Sequence, residues 1–253
     1  MFETGLVSVT FRKLDPVEII KLVKTAGLSA IEWGSDVHVP QTDLERATTI
    51  GGLTREAGIR VASYGSYYRP GVQTPDEFAP YLKAALALGA PVIRVWAGNK
   101  GSTDASTADR DAVISCTQAI CDMAARHNVT ICYEYHNGTL TDQIDSAVDA
   151  ITAVNRPNMK LYWQYNPSLS REENGNALRR VLPYLQTVHT FAMDASLTRH
   201  PLATAIEDWQ AYKAILEESP ADHPVLLEFV EGDQPEAFLR DAKTLTELFC
   251  LNG

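Results

Sequence analysis

No stretch of the 253 residues is apolar for long enough to cross a bilayer. The opening residues, MFETGLVSVTFRKLD, lack a basic segment followed by a signal-type apolar run, so a cytoplasmic protein is expected. Cysteine is scarce. Cys116, Cys121, Cys132 and Cys250 are irregularly spaced and form no CxxC pair, which argues against a disulfide framework and for reduced thiols. Basic charge is also short: 22 Lys and Arg stand against 32 Asp and Glu, a net charge of −10. Proteins that clamp nucleic-acid phosphates or anionic membranes need a basic face, so neither is an expected partner. Low-complexity segments, linkers and composition breaks are absent. The length suits one domain over 1–253, with a core that needs no staple.

What is present is a unit of about 30 residues that recurs: a short β-branched run, a polar loop, then a helix. The runs are GLVSVT (5–10), SAIEW (29–33), IRVASY (59–64), PVIRVW (91–96), VTICYE (129–134), MKLYWQ (159–164), TVHTF (187–191) and PVLLEF (224–229). Several are apolar almost throughout, the pattern of parallel strands covered by helices. Asp15-Pro16-Val17-Glu18, Thr42-Asp43-Leu44-Glu45, Thr74-Pro75-Asp76-Glu77, Ser170-Arg171-Glu172-Glu173 and Asp233-Gln234-Pro235-Glu236 read as helix starts. Gly27, Gly58 and Gly89 read as helix stops. Eight strand–helix units predict an α/β fold, a single (β/α)8 TIM barrel with its active site at the C-terminal ends of the strands. An open dinucleotide-type sheet would place glycines after the first strand, where the chain has Thr10-Phe11-Arg12-Lys13-Leu14.

The polar residues that end the predicted strands are therefore the candidate site: Glu32, Arg94 with Trp96, Glu134 with His136, Gln164 with Asn166, His189, and Glu228. Alternation puts Cys132, Glu134 and His136 on one face, Tyr162, Gln164 and Asn166 on another, and Leu226 with Glu228 on a third. A carboxylate ending an apolar strand is costly unless neutralised. Glu134 and Glu228 have no adjacent cation in sequence. With His189 they make a natural divalent-metal site, for which Mn²⁺, Mg²⁺, Co²⁺ or Zn²⁺ would serve. The alternative is that Arg or Lys from another loop neutralises each carboxylate.

These residues carry a resemblance. AGLSAIEWG, ALGAPVIRVWAG, VTICYEYHNG, TVHTF and PVLLEF, in that order, resemble the xylose-isomerase-like TIM barrels of the sugar phosphate isomerase/epimerase superfamily over essentially the whole chain. The resemblance implies one divalent metal, Mn²⁺ first, held by Glu134, His189 and Glu228. The fourth ligand of the family, an Asp, is replaced by Gln164, which still offers a carbonyl oxygen. Two glutamates then balance the ion, which implies a stronger Lewis acid and weaker metal retention; the alternative is that Gln164 binds only substrate. The endonuclease branch needs a multi-zinc cluster, which six histidines and the acidic charge make improbable here. The family's His-x-Lys-Asp run is also missing, with Phe191 where the lysine often stands.

The implied activity is that of a metal-dependent isomerase or epimerase working through an enediolate of a small carbohydrate. The alternatives are a β-eliminating lyase or dehydratase on a keto-sugar or 3-keto-glycoside, and a non-catalytic sugar-binding barrel subunit. Glu134 or Glu228 would be the base, with His136 as its rival or as a hydroxyl donor. Arg94, Trp96, Asn166, Arg199 and Glu32 are candidate substrate contacts, each with a structural alternative, which for Arg94 is an ion pair with Glu32 or Glu134. A homo-oligomer stays open.

Overall fold

A computed structural model describes residues 2–250. Eight parallel strands close into a barrel in sequence order. They are β1 (Thr4–Val7), β2 (Ala30–Gly34), β3 (Arg60–Gly65), β4 (Val92–Val95), β5 (Thr130–Tyr133), β6 (Met159–Trp163), β7 (Leu185–Thr190) and β8 (Val225–Leu227). Eight helices wrap them: α1 (Pro16–Thr25), α2 (Leu44–Glu56), α3 (Ala79–Leu88), α4 (Thr107–Ala125), α5 (Ile144–Val154), α6 (Arg171–Val181), α7 (Ile206–Leu216) and α8 (Pro235–Phe249). This is the (β/α)8 barrel that the repeats predict. Among the described residues no helix is long and apolar enough to cross a membrane.

Local chemistry explains the boundaries. Asp15 and Ser170 begin α1 and α6 with reciprocal capping boxes, satisfying amides that the helix itself cannot. Gly27, Gly58 and Gly89 end helices at φ of 71°, 79° and 83°, where a β-carbon would be strained. Two expectations shift. Asp233 does not cap α8; it lies at φ 53° and Gln234 is the N-cap. The first strand stops at Val7, because the Ser8 hydroxyl accepts from Gly34 N–H at 2.9 Å and the chain turns into a short 3-10 segment.

Large apolar side chains pack between sheet and helices, while the barrel interior takes smaller ones. Val7, Val9, Ala30, Ala62 and Leu226 form one inner cluster, and Val92, Cys132 and Tyr162 another. Trp33 and Trp163 point outward into the helix layer; the indole of Trp33 donates to Thr54 Oγ1 at 3.2 Å, and the ring of Trp163 meets Trp209 and Tyr212 edge-on. Of the three strand-end tryptophans, only Trp96 is at the mouth.

Candidate active site

The candidate side chains cluster around the C-terminal ends of their strands, and Glu134, Gln164 and Glu228 each lie one residue beyond. Glu134 N–H still bonds Val95 O at 3.1 Å, and Glu228 N–H bonds Thr190 O at 2.9 Å. Both residues therefore keep the strand alternation and point inward, following Cys132 and Leu226. Register shifts at Ile31/Glu32 and Leu161/Tyr162 re-aim the residues that follow them. The two meet across the barrel, where the Tyr162 hydroxyl donates to Glu32 Oε2 at 2.8 Å.

His189 is fully buried at the centre. Its Nδ1 lies 3.3 Å from Glu228 Oε2 and 3.8 Å from Glu134 Oε1. Its Nε2 lies 3.6 Å from Glu32 Oε2. Neither ring nitrogen has a hydrogen-bond partner. Burial alone would pull the imidazolium down, but Glu228 and Glu32 outweigh it and hold its pKa at about 10. For Glu32, burial alone would raise the carboxyl; His189, Arg94 and Ser63 outweigh it and hold it at about 2.

Arg94 joins the two sides of the floor. Its Nη1 donates to Glu134 Oε2 at 2.6 Å, and its Nε stands 3.5 Å from Glu32 Oε1. Burial opposes its charge, but Glu134 and Glu32 raise its pKa further. Gly65 makes room for this pair. A β-carbon there would stand 2.7 Å from Glu32 Oε1 and 2.8 Å from Arg94 Nη2. Trp96 Nε1 also donates to Glu134 Oε2.

Several sequence expectations change here. Glu32, a candidate substrate contact, has 0% of its surface exposed, and Ser63 and Tyr162 donate to its Oε2. Arg94 is committed to the two carboxylates, so its structural alternative is the one that forms. Trp96 is half-buried, with His136 stacked on its indole at 4.4 Å between ring centres. His136 donates Nδ1–H to Asn137 O at 2.7 Å, leaving Nε2 as its free ring nitrogen. His136, Gln164, Asn166, Arg199 and Glu228 all line one cavity of about 400 Å³. Asn166 Oδ1 accepts from Ser168 N–H, and Arg199 is ion-paired with Asp233. Ser63 and Tyr162, which hold Glu32, were not among the candidates: neither ends its strand as a polar residue flanked by apolar ones, and only the closed barrel brings them to Glu32.

The donor set suits a divalent cation. Ligand atoms of Glu134, His189 and Glu228 all lie within 4.8 Å of one another, all three residues being buried. Ligands about 2.1 Å from an ion lie roughly 3 Å apart, so small side-chain adjustments would complete the cage. Gln164, the expected fourth ligand, keeps an acceptor free. Its Nε2 donates to Tyr135 O at 3.0 Å, which leaves a buried Oε1 without a partner.

Comparison with known proteins identifies the family and the fold. The sequence model described as "Xylose isomerase-like TIM barrel" matches residues 20–248. A 3-dehydroshikimate dehydratase of Bacillus anthracis is 32% identical over 101 residues, which span 38% of this chain and only 35% of that protein. The crystal structure of a probable 3-DHS dehydratase, AsbF, from Bacillus anthracis superposes with a TM-score of 0.79 at 17% identity, covering 97% of this chain and 99% of that one. A D-psicose 3-epimerase solved in the presence of D-fructose superposes at 0.76 with 15% identity, covering 98% and 99%. At these identities the two structures speak for the fold.

Proposed function

Because the chain belongs to the xylose isomerase-like TIM barrel family, we propose that it is a divalent-metal-dependent enzyme that removes a C–H proton beside the carbonyl of a small hydroxylated substrate. The observation that carries this is the convergence of Glu134, Glu228 and His189 Nδ1 within 4.8 Å. The metal, when bound, polarises the carbonyl and orients its neighbouring oxygen.

The protein's own groups divide the work unequally. Glu134 Oε2 already accepts from Arg94 and Trp96, so only Oε1 is left, facing His189. That oxygen is a ligand, and Glu134 has none to spare as a base. Glu228 lines the cavity and has no comparable partners, so it can offer one oxygen to the ion and keep the other for the proton. Glu228 takes the proton from carbon, and the C–H electron pair moves into the carbonyl. A single base returns the proton on the face it came from. Delivery to the neighbouring carbon is isomerisation, whereas epimerisation needs a donor on the opposite face.

A second reading is β-elimination, favoured by the local identity to the dehydratase. The same electron pair then expels a hydroxyl from the β-carbon, and His136 Nε2, when protonated, supplies the proton with which it leaves as water. The test is incubation of the Mn²⁺-loaded protein with D-fructose, and separately with 3-dehydroshikimate, in deuterated water. NMR should show one exchanged C–H in the first or water loss in the second. No change in either, with Mn²⁺ bound, would sink the proposal.

A further inference from the structure

The cavity beside Glu228 has two unlike walls. One is polar, with His136, Asn137, Asp142 and Gln164. The other is apolar, with Phe191, Met193, Leu197 and Phe229. Leu197 is 66% exposed, more than any other large apolar residue described. It also lies at φ 64°, and Phe229 at φ 57°. In that region a β-carbon crowds the backbone, and chains ordinarily place glycine, asparagine or aspartate there. Among the described residues, the other non-glycine residues with positive φ are Asn128, Asn155 and Asp233. The two cases that a short polar side chain does not explain both line this cavity.

The turn that carries Leu197 has no need of a leucine. Met193 and Arg199 pair across it, and Leu197 N–H bonds Asp194 O at 2.9 Å. The Asp194 carboxylate accepts from Ser196 N–H and Thr198 N–H at 2.9 and 3.1 Å. Glycine would close the same hairpin without strain. Leucine adds only an apolar side chain at the mouth. The Arg199 guanidinium, which lines the same cavity, lies 4.3 Å above the Phe229 ring. A sugar hydroxylated at every carbon would lose water against Phe191, Met193, Leu197 and Phe229 without gaining a hydrogen bond from their side chains, and the nearby Arg199 is already paired with Asp233.

We propose that the substrate is amphiphilic. Its hydroxylated carbonyl end faces Glu228 and Gln164, and an apolar, ring-sized part lies against Leu197, Met193 and Phe229. Only the orientation of the polar end rests on the function proposed above; the apolar contact is independent of the reaction.

Calorimetry with methyl β-D-glucopyranoside and 4-nitrophenyl β-D-glucopyranoside, with and without Mn²⁺, tests this. The aryl compound should bind roughly ten- to a hundredfold more tightly, as burying a ring implies. Leu197→Gly, which relaxes the turn, should cut that gain to about threefold or less and leave Mn²⁺ uptake intact, and Met193→Ser should reduce it too. An aryl gain without any Mn²⁺ uptake would support the apolar contact while removing the metal reading. The proposal is overturned if the aryl compound shows no gain, whether both bind alike or neither binds, or if the gain survives Leu197→Gly.

Discussion

The two halves of the barrel mouth are built on opposite principles. Across β2 to β5 the charges are paired: Glu32 accepts from Ser63 and Tyr162, Arg94 grips Glu134, Trp96 donates to the same carboxylate, and Glu32 Oε1 and Arg94 Nε, which lack hydrogen bonds, face each other at 3.5 Å. Across β6 to β8 the Gln164 Oε1 and both His189 nitrogens are buried without partners, and the cavity opens beside them. Unpaired buried polar atoms are costly, so a fold tolerates them where a ligand completes them. The half saturated with charge pairs is held by them, and the other half keeps a buried acceptor, Gln164 Oε1, beside the cavity.

Four substitutions and a pH series would break or sharpen that contrast. Glu228→Gln should lower turnover by about 10²–10⁴, the usual worth of a positioned base. Steady-state rates on whichever substrate exchanges deuterium will report it, and an unchanged rate would move the base elsewhere. Arg94→Met should cost about 3–5 kcal/mol in urea unfolding, because it strands two buried carboxylates. A cost below about 1 kcal/mol would mean that the saturated half is not held by charge.

The pH series follows from His189, whose pKa is raised from the ordinary 6.5 to about 10 in the metal-free protein. A ligating nitrogen must lose its proton. The association constant for Mn²⁺ should therefore rise by about tenfold per pH unit from 6.5 towards 10 and then flatten. The stability that the His189 charge gives the metal-free protein runs the other way. It is fully present below 6.5 and is lost as pH rises through about 10. Titrations at several pH values, paired with urea melts, check both signs.

Gly65→Ala should cost about 1–3 kcal/mol, since its β-carbon would push Glu32 and Arg94 apart. Arg199→Ala should change stability by less than about 1 kcal/mol, because its pair with Asp233 is partly exposed to solvent. A thermal melt distinguishes the two.

The barrel was legible because its signals are local. Capping residues, helix-ending glycines and apolar runs act within a few residues, and apart from Asp233, which yields the cap of α8 to Gln234, the helix starts and stops lie close to where the sequence puts them. The strand-end logic also leads to Glu134, His189 and Glu228, because alternation along a strand carries a side chain's direction from its buried neighbour. Glu32 is a different case. A glutamate ending an apolar strand looks the same in sequence whether it meets substrate or supports a histidine from below. Its partners Ser63, Arg94, Tyr162 and His189 lie 31, 62, 130 and 157 positions away.

The chain's own alphabet thus determined eight strand–helix units, their closure, and which strand ends carry charge, because propensity, capping and period-two alternation are short-range effects. Tertiary structure alone decided how those charges pair. Arg94 occupies one oxygen of Glu134 and leaves Glu228 free, and two left-handed residues turn one cavity wall apolar. Both outcomes depend on distances across the closed barrel and on backbone angles in its loops, which no local pattern of residues encodes.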